Sequence, residues 1–177
     1  MNIQYSSIEI YNTTFQDNIA LDVNHGLTLI GSKAKVENVT VNYKNKDFLN
    51  STPSNVDTGF FNLNYRSAMT MSSSLLRNCR GSIGAVFTIT GGSSLNIDRN
   101  TTFTNCTSLN GDVLHASSAK LIQVSNAVFQ NNSVNSDIYL EQSPSTIKDS
   151  KFINSESNSI TIWSSSIQLI GNLFYDT

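Results

Sequence analysis

The side chains that could do chemistry are spread thinly along this sequence. The carboxylates Asp17, Asp22, Asp98, Asp112, Asp137 and Asp149 are dispersed. A glycosidase needs two carboxylates held a fixed distance apart across the scissile bond. A lyase that abstracts a proton needs a basic residue beside its substrate, with calcium to acidify it. No stretch concentrates either set, and the basic residues do not pair with the acids, so catalysis is not expected. Asp112 and Asp137 come nearest to a ligand pair. Stacked one above the other, they would offer oxygens to Ca²⁺, which takes several such ligands; otherwise they are solvated turn residues. No other cofactor is expected.

Three further groups have chemistry of their own. Cys79 and Cys106 each follow an asparagine and lie 27 residues apart. Two cysteines do not make a structural zinc site alone; they are read as a disulfide or as a stack of buried thiols. Tyr139 and Trp163 are candidates for stacking on a sugar, or else for packing. Asn12, Asn38, Asn50, Asn100, Asn105 and Asn131 each begin an Asn-x-Ser/Thr triplet, the acceptor pattern for N-glycosylation.

What positions these residues is a repeat. Phe15, Val41, Leu76, Phe103, Phe129, Phe152 and Phe174 recur at spacings of 26, 35, 27, 26, 23 and 22 residues. Each closes a short polar–apolar alternation such as Ser94-Leu95-Asn96-Ile97-Asp98, and Asn12, Asn38, Asn100 or Asn126 stands three residues before its anchor. A second apolar pulse falls between anchors, as in Ile19–Val23, Phe60–Leu63, Ala85–Ile89, Asp112–Leu114, Asp137–Leu140 and Ser159–Trp163. Alternation over three to five residues marks short half-buried strands. Fixed-period self-similarity marks a solenoid. The expected fold is all-β: a right-handed parallel β-helix of about seven coils, 22–27 residues each, with the anchors in one internal stack. The long interval contains Lys44 to Thr58, read as an inserted loop in a single domain spanning 1–177. A leucine-rich repeat fits less well, because the anchor is phenylalanine and helix formers are scarce.

The asparagine slot has a physical reason. The chain must turn sharply there, and Asn tolerates the left-handed conformation better than other non-glycine residues. Amides in that slot are expected to bond along the rod, turned inward, which would bar a glycan at Asn12, Asn38 and Asn100. Asn50, in the inserted loop, becomes the best acceptor, with Asn105 and Asn131 as further candidates.

Composition narrows the partners. The net charge of −2 and 14% charged residues point neither to nucleic acid nor to an anionic membrane. No apolar run has the length of a transmembrane helix, and a strand-like unit follows Met1 at once, without a signal peptide. The first and last coils look uncapped, and solenoids need caps. The chain is therefore expected to be part of a longer protein, or a subunit that associates through its open ends.

The pairing of Phe-x-x-Asn with a glycine-led aliphatic run, seen in Phe15-Gln16-Asp17-Asn18, Phe129-Gln130-Asn131-Asn132 and Gly84-Ala85-Val86, resembles the repeats of the polymorphic outer-membrane proteins and similar pectin-lyase-like β-helix surface proteins. Phe103 and Phe152 depart from the pattern, with asparagine two residues on. The resemblance implies a surface-exposed protein serving adhesion or architecture. The functional expectation is a non-catalytic extracellular or cell-surface rod that self-associates head to tail. A glycan-binding module is the alternative, and a polysaccharide lyase or hydrolase fragment a more distant one.

Overall fold

The structure, a computed structural model, describes residues 1–16, 26–42, 59–81, 83–108 and 111–176. These form three parallel seven-stranded sheets, a short two-stranded parallel sheet of Arg80–Gly81 and Thr107–Ser108, and no helix. Each coil gives one strand to each seven-stranded sheet. The first sheet stacks Asn2–Gln4, Leu27–Ile30, Phe61–Asn64, Gly84–Ile89, Asp112–Ser117, Ser136–Glu141 and Asn158–Trp163. The second stacks Ser7–Tyr11, Lys33–Glu37, Ala68–Ser72, Ser94–Asp98, Leu121–Ser125, Ser145–Lys148 and Ile167–Ile170. The third stacks the seven three-residue strands that carry the anchors, from Thr14–Gln16 to Leu173–Tyr175. The protein is a parallel β-solenoid. The inserted loop 44–58, with Asn50, and the pulse at Ile19–Val23 lie outside the described residues.

The register follows the repeat. Phe15, Val41, Leu76, Phe103, Phe129, Phe152 and Phe174 are successive partners in one row. The last four rings stack at centroid distances of 4.8, 5.0 and 5.0 Å, close to the spacing of the strands themselves. Two such rows run down the second sheet, one from Ile10 through Val36, Met71, Ile97, Val124 and Ile147 to Leu169. The alternation puts every second side chain inside, and the middle coils bury these rows completely.

The corners explain the polar residues of the repeat. Asn12, Asn38, Asn100 and Asn126 have φ between 49° and 58°, as the slot requires. Asn78, Asn105, Asn131 and Asn154 do the same at the next corner. The amides face out rather than in. Asn12, Asn38 and Asn100 are exposed, and Asn38 donates to Asn12 at 2.7 Å on the outside of the rod. At a left-handed corner residue the side chain leaves the turn, and the following residue, such as Val39 or Thr101, enters the core. Geometry therefore gives no ground for excluding Asn12, Asn38 and Asn100 as acceptors.

Serine closes the corner between the first and second sheets. Ser32, Ser67, Ser93, Ser143 and Ser165 each accept the corner N–H of the preceding coil, at 2.8–3.2 Å. Ser143 also donates to the Glu141 carbonyl of its own coil at 2.7 Å. Buried backbone donors are thereby paired where the ladder cannot reach them. Ala119 breaks the row, and the Ser93 N–H turns to the Thr90 carbonyl instead, at 3.2 Å.

Phe129 lies at the centre of the ring stack. Phe129→Ala is expected to cost about 3–5 kcal/mol, measured as a lower midpoint in reversible denaturant unfolding. Asn126→Gly, at an exposed left-handed corner, should shift it little.

Candidate functional site

The groups with chemistry gather where the fifth and sixth coils enter the first sheet. Asp112 and Ser136 are register partners, and the Ser136 hydroxyl donates to Asp112 Oδ1 at 2.5 Å. Asp112 Oδ2 lies 3.0 Å from His115 Nδ1. Three residues along its strand, His115 faces outward, and its ring stacks on that of Tyr139 at 4.7 Å with 3° between the planes. His115 and Tyr139 are themselves register partners. Sequence reading overlooked His115; its signal was the outward position next to the inward Leu114 in an alternating strand.

Asp112 and Asp137 are not stacked, because the partner of Asp112 is Ser136 and Asp137 falls one place further on. Asp137 is fully buried. Asn132 Nδ2 donates to its Oδ1 at 2.8 Å, and the Ser155 hydroxyl donates to its Oδ2. Asn132 in turn accepts the Cys106 N–H at 2.9 Å. Desolvation pushes the Asp137 carboxyl up to about 6, helped by the charge of Asp112 and opposed by the two hydrogen bonds. Among the described residues no three His, Cys, Asp or Glu side chains are placed to hold a metal ion together.

The cysteines occupy equivalent places at the next corner, where Thr107 N–H bonds to the Cys79 carbonyl at 2.8 Å. Both are buried and free. The Cys106 thiol faces the Thr104 carbonyl at 3.7 Å, and the Cys79 thiol faces that of Arg77 at 3.8 Å. Contact with Cys106, and then burial, push the Cys79 thiol well above its ordinary value. The slot continues as Asn132 and Ser155, so one inward column changes from thiol to amide to hydroxyl. Beside this column Gly84 pairs with Asp112, and a bulge before Phe87 restores alignment with Leu114. A side chain on Gly111 would collide with the Ile83 carbonyl.

Tyr139 and Trp163 share the outward face of the first sheet without being register partners. Tyr139 pairs with Thr161, and Trp163 pairs with Glu141. Trp163 is 65% exposed. Asn105 and Asn131 are exposed corner residues, but Asn131 Oδ1 already accepts from Asn154 at 2.9 Å. No known protein family, curated protein or solved structure gives a significant match to the chain.

Two outcomes follow. A raised carboxyl pKa in the fold means that Asp137 stabilises the protein fully below about pH 4, and that this contribution is lost as pH rises through about 6. Asp137→Asn should remove up to about 3 kcal/mol of pH dependence across that window, read as unfolding free energy at each pH for both proteins. Cys79 and Cys106 should resist thiol reagents in native protein and react together when it unfolds; fast labelling of the folded form would refute their burial.

Proposed function

We propose that this chain is a non-catalytic structural or adhesive rod of an extracellular or cell-surface protein, joined head to tail through its open coils. One observation carries the reading: the inward rows end in apolar side chains at both ends of the rod. At one end stand Ile160, Ile162, Ile167, Leu169 and Phe174; at the other stand Ile3, Ile8, Ile10 and Phe15. Phe174 is 44% exposed, although its row partner Phe152 is fully buried. Among the described residues each end strand pairs on one side only, and open strand edges recruit further strands. A second copy laid on in register would continue each row, with Phe174 meeting Phe15. Contacts of this kind are heterologous and build filaments unless they close.

The kinship with polymorphic outer-membrane and pectin-lyase-like surface proteins belongs to this reading and is supported by the phenylalanine row and the parallel coils. Exposed triplets at Asn105 and Asn131 fit a glycosylated surface protein, and the described residues contain no helix able to cross a membrane. A glycan-binding module is the second reading, favoured by the outward Tyr139 and Trp163; an enzyme fragment is the third.

Light scattering and electron microscopy across a dilution series test the proposal. Rods that lengthen with concentration, and that Leu169→Asp with Phe174→Asp reduces to single units, are the expected result. Single short rods at every concentration, for wild type and variant alike, would remove end-to-end association. Intact mass of the protein from its natural source should exceed that of the polypeptide if the triplets are used.

A further inference from the structure

Tyr139, Glu141 and Trp163 form a corner on the outward face of the first sheet. Tyr139 and Glu141 are two residues apart in one strand, and Trp163 is the register partner of Glu141 on the next coil. Trp163 is thus the diagonal neighbour of Tyr139. A strand spacing of about 4.8 Å and a two-residue rise of about 6.6 Å place their Cα atoms about 8 Å apart. One face of the Tyr139 ring is covered by His115. The residue below it is Thr161, a small side chain with no ring to stack on the other face. Glu141 is held in place, because the Ser117 hydroxyl donates to its Oε2 at 2.9 Å.

Glu141 is the partly exposed carboxylate beside the two rings, and His115, paired with Asp112, lies behind Tyr139. The seven strands of the first sheet contain Asp112, Asp137 and Glu141, and neither lysine nor arginine. The Tyr139 phenol is pushed up by desolvation and then by the negative charges of Glu141 and Asp112. An anionic sugar would be repelled here, and a neutral one would leave the carboxylate without a charge partner. A cation answers both the rings and the carboxylate.

We propose that Tyr139, Glu141 and Trp163 bind an organic ammonium group, with trimethylammonium the best-fitting form. A cation within about 6 Å of a ring centroid is attracted by the ring quadrupole. Two rings borne on Cα atoms about 8 Å apart allow one cation to satisfy both. Glu141 supplies the countercharge, and Ser117 keeps it oriented. All three residues come from one chain, with Trp163 on the last strand of the first sheet, so the site is complete without end-to-end association.

Trp163 is the only tryptophan in the chain, so it reports on its own site. The full chain is titrated with choline, with glucosamine, with 3,3-dimethylbutanol as the uncharged isostere of choline, and with galacturonate. Choline should change the Trp163 fluorescence saturably, and the uncharged isostere should bind at least about tenfold more weakly. Glucosamine weaker than choline would identify a methylated ammonium as the ligand; glucosamine stronger would identify an amino sugar, and both orders support an ammonium site. Glu141→Gln keeps an acceptor for Ser117 and should weaken choline about tenfold without moving the unfolding midpoint. Tyr139→Leu should do likewise, and Trp163→Leu is followed by calorimetry. Equal binding of the uncharged isostere, unchanged binding by Glu141→Gln, tighter binding of galacturonate, or no saturable response to either ammonium compound would each overturn the proposal.

Discussion

Three parallel ladders carry the backbone hydrogen bonds from coil to coil, and each ladder ties a residue to a partner above it and a partner below it. That register is the constraint on which the rest of the molecule depends. A one-residue slip would turn an inward row outward along a whole strand. Phe103 must therefore stand over Phe129, and Ile97 over Val124. The rows are stable because the period of the sequence, the strand spacing and the centroid separation of the stacked rings agree.

The corners are where that constraint becomes expensive. A coil turns three times, and at each turn some backbone groups leave the ladder while still buried. A left-handed residue makes the turn, mostly asparagine at the second and third corners but Gly31, Arg66, Gly92, Ser118, Gln142 or Ser164 at the first, and the next side chain enters the core, in many coils with a polar atom aimed at the neighbouring coil. Serine does this at the first corner, and Ser74, Ser150 and Asn172 do it at the second. At the third, Asn132 does it within the column Cys79, Cys106, Asn132 and Ser155, by accepting the Cys106 N–H. Asp137 extends that column into a buried carboxylate with two donors. It keeps the corner connected at the cost of a pH-dependent stability.

Chemistry and architecture divide between faces of the rod. The interior is occupied by packing and corner hydrogen bonds. The apolar rows are more exposed in the terminal coils than in the middle ones, as Phe174 is beside Phe152. The first-sheet flank presents His115, Tyr139, Glu141 and Trp163 in a grid whose spacing is set by the strands.

The sequence by itself determined the architecture. The anchor period, the alternation in strands such as Ser94–Asp98 and the asparagine slot are local features, and each dictates a backbone geometry that stacking only repeats. Tertiary structure decided which residues become neighbours at places where the repeat is irregular. One residue separates a stacked pair from an offset one, so Asp112 meets Ser136 and His115 rather than Asp137. The direction of the corner amides depends on the left-handed backbone and on the residue after it, which is why Asn12 and Asn38 turn outward. Tyr139 and Trp163 could be named from their types, but their diagonal placement around Glu141 follows from a register that only the paired strands define. Asn132 and Ser155 carried no signal of their own, because a buried polar network is a property of the corner they share.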